Sequence, residues 1–166
     1  MIEILTLLIL LIPFSIFIFN SIVLRNLISD KSEIPGIVNS ISIGISFVFA
    51  LIVLFNAGDF SSSISFTWIS LNNVDITFSF LVDPLTAIML VVVSGVSFLV
   101  QIYSIGYMHG DKSFCRYFSY MALFTGSMLG LVMSRNILQL FIFWELVGVS
   151  SYLLIGFWHE RKSAAA

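Results

Sequence analysis

Residues Asn136–Trp158 read NILQLFIFWELVGVSSYLLIGFW, an apolar run with a single charged side chain, Glu145, near its middle. In a helix rising ~1.5 Å per residue, Glu145 would lie about 13 Å into a hydrocarbon layer ~30 Å thick. An acid at that depth costs roughly 2.5–3.5 kcal/mol on insertion scales. The nearest cations along the chain, Arg135 and Arg161, lie at the ends of the run. The run therefore predicts a membrane-spanning helix with a proton or ion site at Glu145, inside a bundle.

A structural role for Glu145 is the alternative, in which a protonated side chain only hydrogen-bonds a neighbouring helix. The functional interpretation is favoured because intramembrane acids are rare and usually face a polar pathway. As a proton carrier, the carboxyl would need a Lys or Arg inside another span, whose movement would capture or eject the proton. The sequence places no Lys or Arg in the interior of a predicted span, because Arg116 lies at the very start of the fourth, so this partner must come from elsewhere.

Composition extends the membrane interpretation to the whole chain. Of the 166 residues, 59% are hydrophobic and 10% are charged, and the mean hydropathy is +1.09. Soluble domains carry roughly 25% charged residues. The net charge of −2 is too small to indicate nucleic acid as a partner. The single cysteine, Cys115, excludes an internal disulfide, and the sequence has no metal-binding Cys/His spacing, no Gly-rich phosphate loop and no haem-type His pair. A redox or metal centre is therefore not expected.

The predicted fold is an all-α integral membrane protein with five transmembrane helices and a short β-hairpin between helices 2 and 3. Each helix has about the ~20 residues that a spanning helix needs. Pro13 is expected to kink the first helix, and Asp83 is expected to cap the third, with Pro84 at its first position. The predicted bounds are 2–24, 37–56, 84–107, 114–133 and 136–158 for the helices and 62–80 for the hairpin.

The seven Lys and Arg residues predict the orientation of the chain. If the N-terminus faces outward, all of them except Arg135 lie on one side, which the positive-inside rule makes cytoplasmic. In an organelle the equivalent side is the matrix or stroma. The six residues on that side are Arg25, Lys31, Lys112, Arg116, Arg161 and Lys162.

The hairpin is predicted from strict alternation of apolar and polar residues in Val74–Phe80, preceded by a similar pattern around Trp68. It is expected to lie on the extracytoplasmic membrane surface, with Trp68 near the headgroups. Small residues recurring every four positions, Gly126, Gly130 and Ser134, predict close helix packing on the fourth span.

Polar and aromatic residues at the span ends are assigned ordinary roles. His109 is expected to be a solvated surface residue, and Arg135 is expected to extend to the headgroups. Tyr103, Tyr107 and Tyr120 are interpreted as interfacial anchors.

At Phe80–Trp158 the sequence resembles the largest antiporter-like subunit of respiratory complex I, called chain 5, L or F in different systems. The motifs that carry the resemblance are FLVDPLTAIM, YSIGYM, RYFSY and NILQLFIFWELVGVSSYLLIGFW. In that family the acid of the WE motif lies on the fifth span and pairs with a lysine on a later, broken helix. By position, that acid is Glu145. The family's subunits have many more spans, so the resemblance implies that this chain is an N-terminal fragment without the lysine.

The resemblance implies a membrane-arm subunit of a proton-translocating NADH- or ferredoxin-quinone oxidoreductase. Its partners would be other membrane-arm subunits and the lipid bilayer, with protons as the transported species and no nucleic acid. The chain would hold no cofactor, because NADH, FMN, the iron–sulfur clusters and quinone would bind other subunits. A bacterial inner membrane is the expected location, with mitochondrial inner and thylakoid membranes as alternatives. Two other functions stay open: a subunit of a multi-subunit Na⁺/H⁺ antiporter, and a membrane scaffold fragment that transports nothing.

Overall fold

The computed structural model describes residues 2–24, 32–56, 62–71 and 74–158. Five long helices and one two-stranded antiparallel sheet make up this part of the chain. The elements in chain order are α1 (Ile2–Ile18), α2 (Ile34–Asn56), β1 (Ser62–Leu71), β2 (Val74–Val82), α3 (Pro84–Tyr107), α4 (Phe114–Met133) and α5 (Ile137–Ile155). Asn72 and Asn73, between the two predicted strands, lie outside the described residues, as do the basic residues Arg25, Lys31, Arg161 and Lys162.

Four of the five described helices, α1, α2, α3 and α5, are long and apolar enough to cross a membrane. The fourth predicted span, α4, is long enough but less apolar, with Arg116 in its first turn. It is also the most enclosed helix, because it packs against each of the other four and against β2. A helix covered by other helices does not need to present an apolar surface to lipid, which explains its composition.

The small residues of α4 allow this central packing. A Cβ at Gly126 would lie 3.2 Å from the ring of Phe14 in α1, and one at Gly130 would overlap the ring of Phe143 in α5. The predicted packing face of α4 is therefore confirmed, with aromatic rings from two different helices against its glycines.

Helices α2 and α3 pack through a reciprocal pair of glycines and phenylalanines. The ring of Phe98 lies over Gly44, the ring of Phe47 lies over Gly95, and the two rings stack with centroids 6.4 Å apart. Each glycine leaves room for the ring of the opposite helix, so the two backbones approach closely.

The first helix changes geometry after Ile18, where Phe19–Leu24 forms π-helical turns. Pro13 is buried within the regular part of α1, which continues as α-helix for more than a turn beyond it. In the sheet, β1 and β2 pair from Ser62↔Val82 to Leu71↔Val74 with an irregularity between Thr67 and Ile69.

One face of the hairpin is aromatic. Phe66 stacks on Phe78, with ring centroids 5.6 Å apart, and Trp68 meets Phe78 edge-on at 5.3 Å. Phe66 and Trp68 remain exposed, whereas Phe80 at the far end of β2 is buried in the helix core. The hairpin is therefore fixed to the bundle through the end of β2 that leads into α3.

Asp83 caps α3 as predicted, with Pro84 at the first helical position. Its Oδ1 accepts a hydrogen bond from the Thr86 backbone N–H at 2.7 Å. Hydrogen bonds from the Thr86 backbone and side chain lower the pKa of the Asp83 carboxyl. The carboxylate is the form that caps best, because it accepts from an otherwise unpaired amide at the positive end of the helix dipole.

Replacing Asp83 with alanine is expected to cost about 1 kcal/mol of stability, the typical effect of losing an N-cap. Because its pKa is lowered on folding, the ionic part of the stabilisation is present above the unfolded-state value of about 3.9. It is lost as the pH falls through the lower folded value. Thermal unfolding of the purified complete protein at several pH values measures both effects. Asp83→Asn is the control, since asparagine caps equally well without titrating; equal stability of the alanine and asparagine variants would contradict the cap.

Candidate functional site on the fifth helix

The start of α5 is fixed by its N-cap and by strand β2. The Asn136 Oδ1 accepts from the Gln139 backbone N–H at 2.8 Å, and the Asn136 Nδ2 donates to the Thr77 carbonyl at 2.6 Å. One asparagine thus caps the helix and binds the sheet at the same time.

Gln139 adds a second link between α5 and β2. Its side chain is buried, and its Oε1 accepts from the Ser79 backbone N–H at 2.9 Å. The Arg135 backbone N–H donates to the Ser79 carbonyl at 3.1 Å, and Ser134 pairs with Phe80 as an isolated β-bridge. Together these bonds hold the α4–α5 connection against β2, in the position that a short third strand of the sheet would occupy. The sequence analysis missed this link, because the N-x-x-Q spacing at the helix start indicates only a local cap and not a partner 60 residues away.

The packed face of α5 is defined by its three buried residues, Gln139, Phe143 and Ser150. The Phe143 ring lies against Gly130 of α4, and its centroid is 6.5 Å from the ring centroids of both Phe14 and Phe80. The aromatic contacts therefore set the rotation of α5 about its own axis.

Glu145 lies on the opposite face of α5, two residues beyond Phe143, and its side chain is exposed. At 100° per residue, a separation of two places the side chains about 200° apart around the helix. Within the part of the chain that the structure describes, no hydrogen-bond or ion-pair partner contacts the Glu145 carboxylate. Tyr152, two turns along, is 76% exposed, and the position of a Cβ at Gly148 meets no atom within 4 Å.

The surroundings of Glu145 on this face are apolar. Phe141, Trp144 and Val149 are all exposed there, and Glu145 is the ninth residue of the 19 in α5. The sequence analysis expected the carboxylate inside the bundle; the structure places it on the outer surface of the bundle formed by the described residues. The carboxylate therefore lies among exposed apolar side chains, and contact with lipid in the middle of a span costs a charged group several kcal/mol.

His109 and the predicted tyrosine anchors of α3 lie away from Glu145, at the end of the bundle where α3 meets α4, whereas Arg135 lies at the opposite end, beside β2. His109 is exposed and pairs with Glu33 at the start of α2. Tyr103 and Tyr107 are exposed on α3 and stack on each other, with centroids 6.1 Å apart. Among the described residues, no group of three or more His, Cys, Asp or Glu side chains could hold a metal ion.

The α3–α4 connection also holds the C-terminal end of α5. The Trp158 indole N–H donates to the Asp111 carboxylate at 3.1 Å, and the Arg116 guanidinium lies 5.1 Å from the centroid of the buried Phe157 ring. With β2 binding its start, α5 is anchored at both ends while its central acid faces outward.

Two protein-family models match the chain. Residues 68–118 match the N-terminus of chain 5 of NADH-ubiquinone oxidoreductase, complex I. Residues 134–166 match the transmembrane domain shared by NADH:quinone oxidoreductases and Mrp antiporters. The second match contains Glu145 and all of α5.

Curated relatives are named as subunits of one enzyme complex. The NAD(P)H-quinone oxidoreductase subunit 5 of Physcomitrium patens chloroplasts is 44% identical over 165 residues, covering 93% of this chain and 23% of that protein. The chloroplast protein of Mesostigma viride is 50% identical over 125 residues, covering 74% of this chain and 19% of that protein. The chromatophore protein of Paulinella chromatophora is 49% identical over 126 residues, covering 75% and 19%. The chain thus spans about a fifth of the length of these relatives.

These names correct the expected location. The chain is an integral membrane protein, but the relatives belong to chloroplasts and to a chromatophore, so a bacterial inner membrane as first choice has no support.

A solved structure shares the fold. The Mrp complex from Dietzia sp. DQ12-45-1b matches with a TM-score of 0.71 and 26% identity, covering 90% of this chain and 16% of the matched chain. With two family models and the subunit 5 relatives in agreement, the chain belongs to the family of antiporter-like membrane subunits that quinone oxidoreductases and Mrp antiporters share, and its curated relatives are those named subunit 5.

Proposed function

We propose that the chain forms the N-terminal region of a proton-pumping membrane-arm subunit of an NAD(P)H- or ferredoxin-quinone oxidoreductase. The observation that carries the proposal is the exposed carboxylate of Glu145, in the middle of a membrane-spanning helix and without a partner among the described residues. A membrane protein keeps such a group where its proton or charge is used. In this role Glu145 holds the translocated proton.

The proton site would work by electrostatic coupling to a cation from another part of the subunit. A cation close to Glu145 favours the carboxylate, and its withdrawal favours the protonated form, so its movement takes up or releases a proton. The packing of Phe143 on Gly130 and the Gln139–Ser79 hydrogen bond keep the carboxylate in a fixed position during this cycle. Electron transfer, with its flavin, iron–sulfur clusters and quinone, belongs to other subunits, and this chain contributes no redox group.

The proposed topology places the N-terminus and the hairpin on the extracytoplasmic, or lumenal, side. The hairpin binds the α4–α5 connection, which holds Arg135. The opposite end of the bundle holds Lys112 and Arg116, together with the ion pair of His109 and Glu33. The separation of cations toward one end agrees with the positive-inside rule.

The proposed location is the energy-transducing membrane of a photosynthetic organelle, the setting named for the relatives. The proposed partners are the other membrane-arm subunits of that complex and the surrounding lipid. The proposed domain organisation is a single N-terminal membrane region of a larger subunit.

A subunit of a multi-subunit Na⁺/H⁺ antiporter is the second candidate. The structural match to the Mrp complex favours it, because that complex presents the same fold over most of this chain. The sequence relatives favour the quinone oxidoreductase, since they are named as its subunits at 44–50% identity.

Reconstitution of the complete native complex into sealed vesicles distinguishes the two functions. We expect quinone reduction by NAD(P)H or reduced ferredoxin to generate an uncoupler-sensitive ΔpH in sodium-free buffer. A ΔpH formed only with a sodium gradient, and unaffected by electron donor and quinone, would replace the first function with antiport. Vesicles that form no ΔpH under either condition would overturn both.

A further inference from the structure

Two asparagines meet the start of α4 in the interior of the bundle, far along the chain from Glu145. Asn20 lies in the π-helical turns that follow α1, and Asn39 lies in the second turn of α2. Both are fully buried. The Asn20 backbone carbonyl accepts from the Cys115 thiol at 3.4 Å, and the Asn39 Nδ2 donates to the Phe118 carbonyl at 3.0 Å. Since Cys115 and Phe118 are one helical turn apart, the two asparagines approach the same short stretch of α4.

Three buried polar atoms in this region have no hydrogen-bond partner among the residues that the structure describes. They are the Nδ2 and Oδ1 of Asn20 and the Oδ1 of Asn39. A buried amide group without a partner costs free energy, and inside a membrane protein solvation by lipid cannot offset that cost. The π-helical geometry around Asn20 is a second, independent irregularity, of a kind that is frequent at functional sites.

We propose that Asn20 and Asn39 bind an internal water molecule, or a small water cluster, between α1, α2 and α4. Water fits because the atoms without partners include a donor, Asn20 Nδ2, and two acceptors, the Oδ1 atoms. Buried waters typically make about three hydrogen bonds to such atoms. A sodium ion fits poorly, since it would leave the donor unpaired and would find only neutral oxygens on these two residues. The Ser119 hydroxyl already donates to the Cys115 carbonyl, at 2.9 Å, so it does not compete for the site.

The site lies on the same side of the bundle as the basic start of α4. Arg116 follows Cys115 directly and is partly exposed. Asn39 is five residues into α2, so the site lies about 7.5 Å below the beginning of that helix. The site is therefore nearer to this end of the bundle than the apolar core around Leu129 and Met133 is. The rings of Phe114 and Phe118 pack on Gly36, in the turn of α2 before Asn39, and cover the site from this end.

Hydroxyl-radical footprinting of the intact complex in ¹⁸O-labelled water tests the proposal, because a buried side chain is oxidised when bound water lies beside it. We expect Phe118, which is fully buried and whose carbonyl accepts from Asn39, to gain the label, whereas Met133, buried in the apolar core, gains little. Asn20→Leu and Asn39→Leu should each remove most of the labelling of Phe118. The matched control is Asn56→Leu: Asn56 is an exposed asparagine at the end of α2, and its loss should leave the labelling unchanged.

Three results would overturn the water site. The first is labelling of Phe118 no greater than that of Met133 in the unsubstituted protein. The second is labelling that neither leucine substitution changes. The third is labelling in choline chloride that disappears in sodium chloride, which would show that a cation occupies the position. If the leucine variants do not assemble, a high-resolution density map of the unsubstituted complex tests the site instead. A peak within hydrogen-bond distance of both asparagines would support the water site, and its absence would overturn it.

Discussion

Replacing Glu145 with glutamine in the complete subunit, within its assembled complex, is expected to remove most of the proton translocation that passes through this subunit. Glutamine has a similar shape but cannot bind and release a proton. The exposed position of Glu145 on α5 means that the substitution disturbs no contact among the described residues. The ΔpH formed per electron transferred should therefore fall sharply, while quinone reduction measured in the presence of an uncoupler falls less.

Two further variants make this experiment specific. Glu145→Asp keeps the acid and shortens its reach, so transport should be reduced less than with glutamine. Glu33→Gln removes a carboxylate at the bundle end, where it pairs with His109, and should leave the ΔpH per electron unchanged. An unchanged ratio in Glu145→Gln would remove Glu145 from the transport pathway and leave it a structural residue.

Replacing Gly130 with alanine is expected to destabilise the protein and displace α5. A Cβ at this position overlaps the ring of Phe143, and that ring has little room to move because Phe14 and Phe80 pack against it. Overpacking of this kind costs about 1–3 kcal/mol. The gain in helix propensity from glycine to alanine is at most about 1 kcal/mol, so the clash is expected to decide the net effect.

Thermal unfolding of the complete complex in detergent measures this prediction. Gly106→Ala on α3 is the matched control, because its Cβ would meet no atom within 4 Å, and it should be neutral or slightly stabilising. In the double variant Gly130→Ala/Phe143→Leu, the smaller side chain should relieve the clash and recover part of the lost stability. Equal melting temperatures for the two single alanine variants would contradict the packing of α5 on α4.

For Glu145, the sequence predicted the helix that carries the residue but not the direction in which its side chain faces. The apolar run around it predicted a spanning helix, and four motifs taken together, the last of which contains the WE pair, predicted the family. Both predictions follow from local sequence. The direction in which Glu145 faces depends on the contacts that Phe143, on the opposite face of α5, makes with Gly130 of α4 and Phe80 of β2. A helix with apolar residues on all sides carries no amphipathic signal to show which face is packed.

The same distinction applies to the polar residues. The role of Asp83 was predictable, because a cap is formed within three residues of the same segment. The roles of Gln139, which binds Ser79, and Asn39, which binds Phe118, were missed, because their partners are 60 and 79 residues away in sequence.

The sequence alone therefore determined that this is a membrane protein of five long helices, with a hairpin after the second and an acid in the middle of the fifth. Hydrophobic run length, alternation and capping are local properties, and each is readable from consecutive residues. Only the tertiary structure decided that α4 is the central helix, that β2 fixes the start of α5, and that Glu145 faces away from the bundle. These features depend on which side chains contact each other between elements. Those contacts are the packing of aromatic rings against glycines and the hydrogen bonds between residues far apart in sequence.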